Sequence, residues 1–140
     1  MVSPVEVNWI AVLVAAASNM VLGSLWYGPL LGKPWMKAMG MDPNMVMSPE
    51  KKKAGNKAMM MMVPLALLSA YVLAHFVDYT ASVTWMEGAQ CGFWLWLGFQ
   101  FPLIMQGKIF EMKKNELLWI NGGYQLVAIL IQGAILATWA

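Results

Sequence analysis

Long apolar stretches constrain what this sequence can fold into more than any other feature. A helix needs about 20 apolar residues to cross a hydrocarbon core about 30 Å thick, and four stretches of the sequence meet that length. With 60% apolar and only 11% charged residues, the chain has too little polar surface to cover a water-soluble globule of 140 residues. We therefore predict an all-α polytopic membrane protein, with four transmembrane helices in an antiparallel bundle.

The stretches and their connections together use nearly the whole chain, so residues 1–140 are predicted to form a single transmembrane domain. The run from Gly28 and Pro29 to Gly32 is predicted to end the first helix, and Pro64 to bend the second. The predicted spans are 9–31, 57–79, 88–110 and 117–139, with a long loop at 32–56.

The end of that long loop carries a helix-start signal. Ser48 is followed by Pro49, the order expected of an N-cap residue and the first helical position. This pattern predicts a helix that begins at Pro49 and continues without a break into the second span.

All nine basic residues are lysines, and all of them fall in the first or third connection. Cytoplasmic loops of membrane proteins retain positive charge, so this asymmetry places both connections in the cytoplasm and both termini outside it. Met1 to Asn8 contains no lysine or arginine, so the first stretch is expected to be a retained span rather than a signal peptide. The lysines are Lys33, Lys37, Lys51, Lys52, Lys53, Lys57, Lys108, Lys113 and Lys114.

Two segments resemble the bacterial domain of unknown function 1761 family. The first contains Asn8 and the run Trp26, Tyr27, Gly28, Pro29, Leu30, Leu31, Gly32, Lys33, Pro34, Trp35, Met36, Lys37, followed by Gly40. The second is the run Leu117, Leu118, Trp119, Ile120, Asn121, Gly122, Gly123, Tyr124. The resemblance covers almost the entire chain and implies a small four-helix bacterial membrane protein. We expect it to lie in the plasma (inner) membrane, with its lysine-rich loops in the cytoplasm. The resemblance assigns no catalytic or binding residue.

Amide side chains inside the spans form the first candidate site. Asn121, Gln125 and Gln132 lie within about 40° of one another on a helix with 100° per residue, and Gln100 and Asn19 fall midway along other spans. Buried amides in membranes hydrogen-bond neighbouring helices, and a stripe of them also suits a polar pathway or ligand seam. Both interpretations stay open on the sequence alone.

A second candidate cluster lies near the outer ends of the spans. His75 is the only histidine and the only ionisable side chain well inside a span, and Asp78 follows three residues later. Ionisable groups in membranes are costly and often functional. Gln90 and Gln132 fall at a similar depth, so His75, Asp78, Gln90 and Gln132 are predicted as an outer cluster of ligand or helix-contact residues.

The remaining polar features indicate lipid rather than soluble partners. Lys51, Lys52, Lys53 and Lys57 are predicted to attract anionic lipid headgroups, and the small net charge of +2 gives no indication of a nucleic-acid partner. One histidine and one cysteine, Cys91, do not make a metal site, and the fourteen methionines are interpreted as flexible hydrophobes. No cofactor and no catalytic residue is predicted, so an enzyme is not expected.

Two functions follow from this pattern. The preferred one is a noncatalytic accessory or structural subunit, or a homo-oligomeric scaffold, in which the amides only hold helices together. The alternative is a small-solute binding or transport protein that uses the amide seam, with His75 at its outer mouth. One cavity that reaches Gln100, Gln125 and Gln132 favours the solute protein, whereas paired amides favour the structural one.

Overall fold

Helices account for every regular element in the part of the chain that the structure describes. The structure is a computed structural model that covers residues 5–40, 48–112 and 114–139. The all-α fold class is therefore confirmed. The elements, in chain order, are α1 (Trp9–Leu25), a π-helical segment π1 (Trp26–Leu30), α2 (Gly32–Ala38), α3 (Pro49–Tyr79), α4 (Trp85–Leu95), a second π-helical segment π2 (Trp96–Gln100), α5 (Phe101–Glu111) and α6 (Asn115–Thr138).

Three helices are long and apolar enough to cross a membrane: Trp9–Leu30, Pro49–Tyr79 and Asn115–Thr138. They lie where the sequence predicts the first, second and fourth spans. The third predicted span falls on the unbroken helical run α4, π2 and α5, which is not one of the three. Gln90, Gln100 and Pro102 make this run less apolar than the others.

The start of α3 confirms the predicted cap. The hydroxyl of Ser48 accepts a hydrogen bond from the backbone N–H of Lys51 at 3.2 Å, and Pro49 opens the helix. The missing N–H of proline costs nothing in a first turn, where backbone donors have no helical partner. As predicted, α3 then continues for 31 residues through the whole second span.

The first spanning helix ends within the predicted run Gly28, Pro29 and Gly32, at Leu30. At Gly28 the backbone leaves helical geometry with φ −108° and ψ −105°, inside π1. The chain turns at Leu31 and forms the short helix α2, which the sequence analysis did not predict. A Cβ on Gly32 would lie 2.7 Å from the carbonyl oxygen of Tyr27, so the turn requires glycine.

α6 occupies the centre of the molecule and packs against α1, α2, α3, α4, α5 and π2. Its approach to α4 is so close that the two backbones touch. Gly88 of α4 faces Gly133 of α6, and a Cβ on Gly92 would lie 2.6 Å from the carbonyl oxygen of Ile129. Small residues spaced by four, such as Gly88 and Gly92, allow such contact between helices.

The connections and chain ends separate into two groups. Asn8 donates a side-chain hydrogen bond to the carbonyl oxygen of Trp139 at 2.8 Å, which brings the beginning of α1 to the end of α6. Asp78 and Ser82 line a groove beside Asn8, so the second connection lies at this end too. At the opposite end Lys37 and Lys114 line one groove, and we call it the lysine end.

Candidate functional site

The polar side chains of α1 and π1 hydrogen-bond to α6 at several levels, and we call this set of contacts the polar seam. At its middle, the hydroxyl of Tyr124 donates to the side-chain oxygen of Asn19 and lies 3.1 Å from the carbonyl oxygen of the same residue. Gly23 leaves the space for the tyrosine, since a Cβ there would lie 3.1 Å from the Tyr124 oxygen. The amide predicted to need a partner on another helix therefore has one.

Two aromatic residues of π1 extend the polar seam toward the lysine end. The indole N–H of Trp26 donates to the carbonyl oxygen of Ile120 at 2.9 Å. The hydroxyl of Tyr27 donates to Oδ1 of Asn121 at 2.7 Å. Both contacts join π1 to α6.

Gln132 closes the polar seam at the other end. It is only 2% exposed, and its Nε2 donates to the carbonyl oxygen of Ala15 at 3.3 Å. The acceptor residue is fully buried, so no water competes for the contact. Three of the predicted amides therefore join α1 or π1 to α6: Asn19, Asn121 and Gln132. One of the two interpretations of the sequence gave them this interhelical role.

The other two predicted amides lie outside the polar seam and apart from each other. Gln125 is exposed and lines a groove between α5 and α6 with Lys108 and Asn121. Gln100 lines a different groove, of about 310 Å³, with Ser69 and Leu73 of α3. We call these the lysine-side groove and the mid-span groove. Gln100 and Gln125 thus line separate grooves, and Gln132 belongs to the polar seam.

The backbone at Gln100 departs from α-helix for a local reason. Pro102 lacks an N–H, and its ring clashes with the carbonyl of the residue four positions earlier in an ordinary helix. The π turn at Trp96–Gln100 comes just before this proline and widens the helix there. Within the described residues, buried Oε1 of Gln100 and Nε1 of Trp96 have no hydrogen-bond partner.

His75 lies in a row of aromatic rings on α3 rather than at the mouth of the amide stripe. Its Nδ1 lies 2.9 Å from the carbonyl oxygen of Tyr71, and since a carbonyl only accepts, the imidazole donates from Nδ1. The ring also contacts Tyr71 and Tyr79 edge-on, with centroids 4.7 and 6.1 Å away. Trp9 of α1 stacks on Tyr71, with ring centroids 5.4 Å apart.

The four residues of the predicted outer cluster lie in different environments. Asp78 lines the groove beside Glu6 and Asn8, Gln90 is exposed, and Gln132 belongs to the polar seam. Among the described residues, none of the hydrogen bonds or ring contacts joins His75, Asp78, Gln90 and Gln132 to one another. Lys51, Lys52, Lys53 and Lys57 are exposed in the first turns of α3.

The residues that sequence reasoning missed are the aromatic partners Trp26, Tyr27 and Tyr124. The signal was present, because a tyrosine hydroxyl or indole N–H inside a span needs a hydrogen-bond partner.

A metal site would require several ligating side chains close together. Within the described ranges, no group of three or more histidine, cysteine, aspartate or glutamate side chains could hold a metal ion.

Long apolar helices joined by buried hydrogen bonds define the class: an all-helical protein with helices suited to crossing a membrane. Its family is identified by a family model that matches residues 10–137. The chain belongs to the family described as protein of unknown function (DUF1761). No curated protein and no solved structure gives a significant match to the sequence.

Proposed function

We propose that this chain is a noncatalytic structural subunit of the bacterial plasma membrane, built as an antiparallel bundle of four spans with both termini outside the cytoplasm. In this proposal the run α4, π2 and α5 is the third span, in addition to the three long apolar helices. Its segments of 11, 5 and 11 residues follow one another directly, and at about 1.5 Å per residue they reach about 40 Å. That length exceeds the hydrocarbon core of about 30 Å.

The contacts support the antiparallel arrangement and its orientation. Along the polar seam, early residues of α1 meet late residues of α6: Ala15 pairs with Gln132, and Asn19 with Tyr124. The chain ends and the second connection share one end, whereas lysines of the first and third connections share the other. Positive charge is retained on the cytoplasmic side, so the lysine end faces the cytoplasm.

Orientation is testable with cysteines in a Cys91→Ser background, which removes the only native thiol. We expect a membrane-impermeant thiol reagent to label Thr138→Cys in intact cells and to label Lys52→Cys only after the cells are opened. Labelling of Lys52→Cys in intact cells, with Thr138→Cys protected, would reverse the topology.

The observation that carries the structural role is the unpacked first half of α3. Every residue from Ser48 to Leu65 is exposed, and burial in the bundle begins at Ala66. The apolar part of this segment runs from Ala58 to Leu65 and includes Met60 and Met61, which are 74% and 63% exposed. An exposed apolar helix surface of this kind is suited to packing against another transmembrane helix.

The chemistry of the segment fits such a partner. Helices associate in membranes by close packing rather than by a hydrophobic driving force, and methionine adapts its shape to irregular partner surfaces. The amides of the polar seam are used within the chain, whereas the first half of α3 presents an exposed apolar surface. We assign the partner as a transmembrane helix, supplied either by a second copy or by another chain.

Disulfide cross-linking in native membranes tests this role. In the Cys91→Ser background we expect Met60→Cys or Met61→Cys to form disulfide-linked dimers of the chain, or mixed disulfides with a partner chain identified by mass spectrometry. Trp94→Cys is the control, because Trp94 is 67% exposed on α4 and lies outside the segment. Absence of cross-links on α3, together with a monomer free of partner chains in mild detergent, would contradict the structural role.

A second function, small-solute binding, is favoured by one observation in the mid-span groove. Gln100 and Ser69 both line this groove, and Oε1 of Gln100 is buried without a hydrogen-bond partner among the described residues. Each lies roughly 15 Å from a helix end, midway through a bilayer, where water does not supply the missing donor. A neutral apolar molecule that carries a hydroxyl or N–H group would satisfy the glutamine.

Native mass spectrometry of the protein in mild detergent separates the two functions. Solute binding predicts a small-molecule adduct that Gln100→Leu loses and that the control Gln90→Leu retains, since Gln90 is exposed on the same helical run. Wild-type protein without an adduct would exclude this function and leave the structural one in place.

A further inference from the structure

The lysine-side groove between α5 and α6 combines a cation, two amides and apolar walls. Its volume is about 280 Å³. Lys108 of α5 supplies the charge, and Asn121 and Gln125 of α6 supply the amides. The remaining lining residues are apolar or lack a side chain: Leu103, Ile104, Gly107, Leu117 and Leu118.

The hydrogen bond from Tyr27 in the polar seam determines which atom of the Asn121 amide is free to bind a ligand. The hydroxyl of Tyr27 donates to Oδ1 of Asn121, which identifies that atom as the acceptor oxygen and leaves Nδ2 as the donor end. Among the described residues, the structure gives Nδ2 of Asn121, the amide of Gln125 and the ammonium of Lys108 no hydrogen bond or ion pair. The groove is therefore lined by unused donors.

The charge of the groove is one-sided. No carboxylate is among its lining residues. Glu116, although it lies in the first turn of α6, lines a separate groove with Lys37 and Lys114. An ammonium and amide N–H groups in a groove that no carboxylate lines form a site for an anion, and phosphate oxygens accept hydrogen bonds from both kinds of donor.

The position of the groove selects the source of the anion. Lys108 lies at the lysine end of α5, where the apolar run of the helix gives way to charge, and Leu103 and Ile104 line the groove one turn deeper. A headgroup at Lys108 would thus have room for an attached acyl chain beside apolar walls. Basic pockets between transmembrane helices on the cytoplasmic side bind anionic headgroups in this way.

We propose that the lysine-side groove binds the phosphate headgroup of an anionic phospholipid, held by Lys108, Asn121 and Gln125. The proposal requires the lysine end to lie at a membrane surface, but it does not require the chain to be a structural subunit. It also differs from the exposed lysines at the start of α3, because here the donors lie in a shaped groove.

Native mass spectrometry of the purified full chain in mild detergent tests this site, with phosphatidylglycerol and phosphatidylcholine as probes. We expect wild-type protein to retain phosphatidylglycerol in preference to phosphatidylcholine. Lys108→Gln should weaken phosphatidylglycerol binding about fivefold, the effect of losing one lysine near an anionic headgroup. Gln125→Leu should weaken it as well, because a donor is lost.

Lys33→Gln is the matched control, since Lys33 is an exposed lysine that does not line the groove. Circular dichroism of each variant shows whether the helices are retained. Leu118→Trp, which fills the groove without changing charge, should also displace the lipid. Equal loss in Lys33→Gln and Lys108→Gln, equal retention of both lipids, or displacement of the lipid by inorganic phosphate at millimolar concentration would overturn the proposal.

Discussion

Gly88 of α4 and Gly133 of α6 lie backbone against backbone, because a Cβ on either residue would overlap the carbonyl oxygen of the other. The contact continues one turn further along α4 at Gly92, which meets the carbonyl of Ile129. The close fit of α4 on the central helix therefore depends on the absence of side chains at three positions.

The first prediction concerns this contact. Gly88→Ala should lower the free energy of unfolding by about 1–3 kcal/mol, the usual cost of forcing extra volume into a packed interface. The measurement is denaturant-induced unfolding in detergent micelles, followed by circular dichroism. Gly55→Ala is the control, because a Cβ there meets nothing within 4 Å. Equal destabilisation by both substitutions would mean that the close approach is not stabilising.

The second prediction concerns the middle of the polar seam. Tyr124→Phe removes the hydroxyl that donates to Asn19 and should cost about 0.6 kcal/mol, the average for such bonds in membrane helices. A double-mutant cycle with Asn19→Ala isolates the pair from other effects. Tyr79→Phe is the control, since Tyr79 is exposed at the end of α3. A coupling energy of zero would remove the seam as a source of stability.

The third prediction concerns the start of α4, which has a capping box. The hydroxyl of Thr84 accepts from the backbone N–H of Glu87 at 3.2 Å. Thr84→Ala should cost about 1 kcal/mol and speed hydrogen exchange at the Glu87 amide. Thr138→Ala should have little effect, because that hydroxyl donates only to carbonyls of its own helix, at Ala134 and Ile135. Unchanged exchange in Thr84→Ala would show that the cap does not hold the turn.

The fourth prediction follows from the other half of the same box. The backbone N–H groups of Val83 and Thr84 donate to the carboxylate of Glu87 at 2.8 and 3.1 Å and lower the pKa of that carboxyl. A lowered folded-state pKa stabilises the turn fully above the ordinary carboxyl pKa of about 4, and the stabilisation is lost as the pH falls through the folded-state value.

Hydrogen exchange at the Val83 and Thr84 amides, corrected for the intrinsic pH dependence, measures this effect. Protection should fall below about pH 4 in the wild-type chain. It should stay independent of pH in Glu87→Gln, whose side chain keeps its hydrogen-bonding oxygen but does not titrate. A parallel fall in the variant would assign the loss to another group.

The three long helices α1, α3 and α6 were predictable because their signals are local. Apolar length marks the spans, and the pair Ser48 and Pro49 marks the start of α3 wherever the rest of the chain lies. The π segments were not predicted. Pro102 gave a hint of π2, but how a helix accommodates a proline depends on what packs beside it.

The candidate site was only partly predictable, because a helical wheel gives the face of a residue and not its neighbour. Asn121, Gln125 and Gln132 share one face of α6, yet only the first and last meet α1 or π1. Between them it is Tyr124 that contacts α1, whereas Gln125 is exposed beside Lys108. The partner of each amide is decided by the way the helices cross.

α3 combines a packed spanning part with an exposed N-terminal arm. Its C-terminal part is packed in the bundle from Ala66 onward, its N-terminal part is exposed, and Pro64 lies at the boundary. The free arm is about 22 Å long, so a bend of 10° at the proline moves its lysine-bearing tip by about 4 Å. A ligand or partner that binds the tip would therefore need only a small force to change the bend of α3 at Pro64.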